Sequence, residues 1–259
     1  MLKTKNNLIN IAYTLEGNQN NPVLVFSNSL GTNHTMWDGQ CEILKENYFI
    51  VRYDTRGHGE SDVPNTPSSI EELGNDVLNL MDELGIATFH FCGLSIGGLT
   101  GQWLGLNAQN RLEKLIIANT AMKIGAFENW NDRIETVREN GLSSIIEGTR
   151  KIWFSKSFAE TKPQLVNTIL DDFIKTPIEG YISCCAAVRD ADFTNQIEKI
   201  TTPTLIFTGT NDIITTVLDG IEMTKKIKNS EMVELNAAHI SNIEDGHLFT
   251  TKLLKFLKK

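Results

Sequence analysis

Apolar residues fall into two recurring patterns along this chain. Short continuous runs at 22–26, 48–53, 87–91, 115–118 and 203–209 have the length of strands buried on both faces. Between them lie longer stretches whose apolar residues recur at helical spacing. In 69–84, Leu73, Val77, Leu80, Met81 and Leu84 form one stripe, and Ser69-Ile70-Glu71-Glu72 offers an N-cap followed by first-turn acids. Helices are also expected at 36–44, 96–108, 216–227 and 247–257. Partly alternating segments at 8–15 and 231–234 add two strands. Strands alternating with amphipathic helices predict an α/β fold, with a mainly parallel sheet flanked by helices. In such sheets ligands collect at the carboxyl ends of the strands.

The rhythm breaks between 121 and 196. Helical patterns at 126–139, 142–154, 162–175 and 178–188 follow one another with no convincing strand. This predicts a helical cap over the sheet rim, at 121–196, between two core segments at 1–120 and 197–259. No internal repeat or low-complexity linker interrupts the chain.

Composition narrows the function classes. The 259 residues carry a net charge of −8 and no basic tract, which disfavours nucleic acid and anionic membrane surfaces as partners. Cys41, Cys92, Cys184 and Cys185 match neither a disulfide framework nor a zinc site, so buried free thiols are expected. The polar N-terminus lacks a signal-peptide pattern, and no apolar run is long enough to span a membrane, so a cytoplasmic location is expected.

The candidate chemistry centres on Gly93-Leu94-Ser95-Ile96-Gly97, a G-x-S-x-G element between a strand and a helix. A tight turn there lifts the Ser95 hydroxyl above the strand end. Side chains at 93 and 97 would collide with the crossing strand and helix. The bare pattern also occurs by chance, so partners are needed. A serine nucleophile needs a base, and the base needs an acceptor that fixes its tautomer. His239, in a small-residue loop after the 231–234 strand, is the first candidate base, and His34 is the second. His90 reads as a core residue and His58 as a backbone cap. Asp212, just after the strand ending near Phe207, is the candidate acid. Asp54 reads as a structural turn residue, and Glu244 and Asp245 as helix N-terminal charges. The order Ser95, Asp212, His239 fits Ser…Asp/Glu…His. Acyl transfer also needs two oxyanion donors. The Ile96 amide is one, and Leu30 is the choice for the other, with Ser29 as the alternative. No H-E-x-x-H or P-loop is present, and neither a metal nor a cofactor is expected.

Five segments together carry a resemblance: Phe26-Ser27-Asn28-Ser29-Leu30-Gly31 with Met36-Trp37, Tyr53 through Ser61, Gly93 through Gly98, Gly180 through Asp190, and Ala237 through Asn242. Over essentially its full length the chain resembles the α/β-hydrolase superfamily, and within it the 3-oxoadipate enol-lactonases of the bacterial β-ketoadipate pathway. The Asp54 and Ser95 segments are common to many α/β-hydrolases. The cap string and Asn28-Ser29-Leu30-Gly31 point to the enol-lactonases. Asn28-Ser29 stands where many relatives have His-Gly, which leaves the second oxyanion amide open between Ser29 and Leu30.

The resemblance implies a small-molecule lactone substrate bearing a carboxylate, opened by Ser95 to 3-oxoadipate during aromatic-compound catabolism. An acidic chain then needs a local cation for that carboxylate. Arg133 and Arg189 are the candidates, although either could instead sit in a surface salt bridge. Trp130 is favoured as a pocket wall over Trp153 and Phe154. The alternatives are a general carboxylesterase or cofactor-free perhydrolase on the same triad, and a ligand-binding protein without turnover. A single chain defines no oligomeric interface.

Overall fold

The computed structural model describes residues 1–4 and 9–259. Eight strands form one sheet: β1 (Leu2–Lys3), β2 (Ala12–Glu16), β3 (Val23–Ser27), β4 (Phe49–Tyr53), β5 (Phe89–Leu94), β6 (Leu112–Ala118), β7 (Thr204–Gly209) and β8 (Ser230–Leu235). Their spatial order is β1-β2-β4-β3-β5-β6-β7-β8. The β1–β2 and β2–β4 pairs are antiparallel, and every other pair is parallel.

The core helices are α1 (Asp38–Leu44), α2 (Ile70–Glu83) and α3 (Ile96–Asn107). Five α-helices then separate β6 from β7: α4 (Phe127–Asn140), α5 (Ile146–Trp153), α6 (Lys156–Thr161), α7 (Pro163–Lys175) and α8 (Ile178–Asp190). After β7 come α9 (Val217–Lys226), α10 (Ser241–Glu244) and α11 (Gly246–Leu257).

Alternation along the strands feeds two cores. Leu24, Phe26, Ile50, Cys92, Ile116 and Phe207 belong to one cluster, together with buried residues of α1, α11 and the inserted helices. Val25, Val51, Phe91, Leu115, Ile117 and Ile206 belong to the other, with residues of α2 and α9. Burial on both faces explains why these strands read as continuous apolar runs.

Local signals set several boundaries. The Ser69 hydroxyl accepts from the Glu72 amide while the Glu72 carboxylate accepts from the Ser69 amide, a reciprocal cap that starts α2. Thr216 and Asp219 make the same exchange at α9. Elsewhere the boundaries differ from expectation. The strand expected at 8–15 lies at Ala12–Glu16, and its first residue, Leu8, is outside the described residues. The elbow strand begins at Phe89, two residues later than expected, and runs through Gly93 to Leu94. The helix expected at 142–154 is a 3₁₀ turn, Leu142–Ile145, followed by α5. The short α6 and α10 and the two-residue β1 have too few residues to print a periodicity. All four cysteines are free and buried, as expected.

Candidate active site

Ser95 sits between β5 and α3 with φ 60° and ψ −114°. A non-glycine residue in such a region costs about 1–3 kcal/mol, and the surrounding chain holds it there. Its amide donates to Ala118 O at 2.9 Å, and its carbonyl accepts from Thr120 Oγ1 at 3.0 Å. The expected need for glycine on both sides is visible in the backbone. A Cβ at Gly93 would lie 2.1 Å from Gly97 O, and one at Gly97 would lie 2.5 Å from Ser27 O.

Asp212 and His239 meet at the ends of β7 and β8. His239 Nδ1 lies 2.8 Å from Asp212 Oδ2. A carboxylate only accepts, so Nδ1 carries the proton and Nε2 is left as the basic nitrogen. Asp212 Oδ2 also accepts from Thr215 Oγ1 at 2.7 Å and from Asn119 Nδ2 at 3.0 Å, while Oδ1 accepts from the amides of Ile214 and Thr215. Burial works to raise the Asp212 pKa. The His239 charge and the donated hydrogen bonds outweigh it and hold this carboxyl well below the usual range. Asn119 also donates to Ala238 O at 3.2 Å and accepts from the Ser241 hydroxyl. Its backbone has φ 43°, and Asn119 and Ser95 are the non-glycine residues with positive φ among the described residues.

Ser95 and His239 line one cavity of about 210 Å³, together with Ser29, Leu30, Ile214 and residues of α4, α5 and α8. In the loop after β3, most backbone amides are already bound within the chain. Ser29 N faces the Met36 sulfur at 3.4 Å, Gly31 N donates to His58 Nε2 at 2.9 Å, and Thr32 N donates to Ser29 O at 3.1 Å. The Leu30 amide has no acceptor among the described residues. Ile96 opens α3, so its amide is one of the first-turn donors that a helix leaves without an internal acceptor.

Trp130, Arg133, Thr149, Trp153 and Tyr181 line the same cavity. Arg133 Nε donates to Tyr181 Oη at 2.7 Å, and its Nη2 lies 3.4 Å from Thr149 Oγ1. Among the described residues no carboxylate forms an ion pair with Arg133. Burial pushes the Tyr181 phenol up, so it stays protonated. Trp130 Nε1 is bound to Ile124 O at 2.7 Å, which fixes the ring in the wall.

Residues 22–246 match the model of the alpha/beta hydrolase fold family. The chain is 42% identical to 3-oxoadipate enol-lactonase 2 of Acinetobacter baylyi, over 95% of this chain and 92% of that protein. It is 40% identical to 3-oxoadipate enol-lactonase 1 of the same organism, over 96% and 93%. The chain belongs to the 3-oxoadipate enol-lactonase family of α/β-hydrolases. The crystal structure of the enol-lactonase from Burkholderia xenovorans superposes with a TM-score of 0.98 at 39% identity, covering 100% of both chains.

Several α/β-hydrolase readings of single residues change with the structure. His34, the second candidate base, is bound to Asp54 Oδ1 at 2.8 Å and does not line the Ser95 cavity. Asp54 also accepts from the His34 and Glu60 amides, in keeping with a structural turn. Arg189 pairs with Asp190 and lies over the Phe127 ring, outside the cavity. Phe154 stacks on Phe158 rather than lining the cavity. His58 caps backbone, as expected: its Nδ1 faces Arg56 O at 3.1 Å, and its Nε2 accepts from the Gly31 amide. Glu244 lies in the first turn of α10, as expected, and its carboxylate also accepts from the Ala238 and Ser155 amides. Sequence reasoning missed Asn119, Thr215, Thr149 and Tyr181. Asn119 had a usable signal, since it is the first polar residue after an apolar strand, as Asp212 nearly is.

Proposed function

We propose that this chain opens 3-oxoadipate enol-lactone to 3-oxoadipate by acyl transfer through Ser95, His239 and Asp212. His239 Nε2 takes the Ser95 proton as Oγ attacks the lactone carbonyl, with Asp212 steadying the imidazolium. The Leu30 and Ile96 amides receive the oxyanion. Leu30 is favoured over Ser29 because its neighbours' amides are already bound within the chain. Collapse breaks the ring C–O bond and expels an enolate, which takes up at carbon the proton that His239 had removed from Ser95, so that it becomes a ketone and the imidazole is neutral again. Little protonation of this leaving group is needed. Water deprotonated by His239 then attacks the acyl-enzyme, breaks the serine ester and releases the dicarboxylate.

The inserted segment 121–196 is assigned as a cap that selects the substrate. Arg133 is the cation for the substrate carboxylate, and Trp130 forms the wall beside it. The observation that carries this reading is a half-buried guanidinium, without a carboxylate partner among the described residues, facing the same cavity as Ser95 and His239. It supplies locally the positive charge that the net −8 of the chain denies.

The test compares kcat/KM on the enol-lactone and on p-nitrophenyl acetate. A large preference for the lactone is expected. A preference for the neutral ester would replace this reading with a general carboxylesterase, and binding without turnover would replace it with a ligand-binding protein.

A further inference from the structure

The loop that carries His239 is bonded to the inserted helices as well as to the sheet. The last carbonyls of a helix lack N–H donors within it. At the end of α5 two of them are taken up by this loop. His239 N lies 3.4 Å from Ile152 O, and Ile240 N donates to Trp153 O at 3.0 Å. One carboxylate fastens the junction. Glu244 Oε2 accepts from Ala238 N at 3.1 Å and from Ser155 N at 3.0 Å, and Oε1 accepts from the Ser155 hydroxyl. Ala238 precedes His239, and Ser155 follows α5 by two residues and caps α6. Near its middle α5 offers Thr149 to the Arg133 guanidinium.

We propose that Glu244 is a positioning residue that locks α5 to the His239 loop, so that the placement of the base depends on the cap helix that Arg133 touches. This rests on the triad reading given above. A substrate carboxylate drawn to Arg133 settles α5, and α5 sets His239 through the Ile152 and Trp153 carbonyls. Correct substrate binding is thereby expressed in turnover as well as affinity, which is how remote binding interactions raise kcat.

The test uses Glu244→Ala, Glu244→Gln and Ser155→Ala in the full chain, with active serine counted by a fluorophosphonate. Glu244→Ala is expected to lower kcat on the lactone about 10- to 100-fold per titrated site, with KM changed less than about threefold. The loss on p-nitrophenyl acetate, which has no carboxylate for Arg133, should be several-fold smaller. Glutamine can accept from both amides and donate to the Ser155 hydroxyl, so Glu244→Gln should recover most of the lost kcat. Ser155→Ala should follow Glu244→Ala in direction with a smaller loss.

Hydrogen exchange of the unmodified protein gives a readout that needs no variant to fold. Saturating adipate, a dicarboxylate mimic of the product, should slow exchange in peptides spanning 146–155 and 236–243 together. Unchanged kcat in Glu244→Ala, an equal loss on both substrates, no recovery with glutamine, or protection of 146–155 alone would overturn the proposal. An active Ser95→Ala would instead overturn the triad reading beneath it.

Discussion

Asn119 Nδ2 donates to Asp212 Oδ2 across 3.0 Å, joining the residue after β6 to the carboxylate that follows β7. The same side chain reaches Ala238 O and the Ser241 hydroxyl on either side of His239. Asn119→Ala should therefore lower kcat about 10- to 100-fold, because it removes a hydrogen bond to a charged acceptor and frees the base loop. KM should change little. A variant with normal kcat would show that Thr215 and the backbone amides hold Asp212 unaided.

Ser95→Ala should reduce lactone hydrolysis by about 10⁴-fold or more, with circular dichroism and the thermal midpoint close to those of the parent chain. Alanine at a strained φ of 60° gains nothing over serine, so no large rise in stability is expected. Retained turnover would rule out Ser95 as the nucleophile.

Replacing Arg133 by Met keeps much of the side-chain volume and removes the charge. The expected result is a rise in KM for the anionic lactone of about 10- to 100-fold, set by the loss of a charged hydrogen-bond pair. The neutral ester should change less than about threefold. Equal effects on the two substrates would dismiss the carboxylate clamp.

His90 provides a pH dependence away from the site. It packs edge-on against Tyr48 with ring centroids 6.0 Å apart, and its Nδ1 has no hydrogen-bond partner among the described residues. Burial, helped by the Lys114 charge, pulls its pKa down to about 4. Its unfolded value is near 6.5. Between these two values the unfolded chain binds the proton more tightly. The stabilising contribution is therefore complete above about pH 6.5 and is lost as the pH falls toward 4, by at most about 3 kcal/mol. His58, pulled down chiefly by its burial, acts in the same direction. Urea melts across pH 4–7 should show this slope, and His90→Phe should flatten part of it. A melt insensitive to pH in this window would contradict the neutral buried state.

Much of the fold was legible in the residues because its signals are local. The buried strands announced themselves as apolar runs, α2 through its Ser69–Glu72 cap, and the elbow through Gly93 and Gly97, where any side chain would meet backbone. Ser95, Asp212 and His239 could be picked out because each follows a recognisable strand, and a parallel sheet gathers such ends at one rim. The short α6 and α10 escaped because a few residues cannot print a helical period.

What the sequence could not decide were pairings between distant segments. Glu244 looks like any acid near a helix start until Ser155 is folded beside it, 89 positions away in the chain. Which histidine and which arginine line the cavity of Ser95, and which amide of residues 29–32 has no acceptor among the described residues, depend on packing. Hydrophobic periodicity is written into neighbouring residues and can be read one stretch at a time. A hydrogen bond across the fold depends on where two chain segments come to rest, and only the assembled core fixes that.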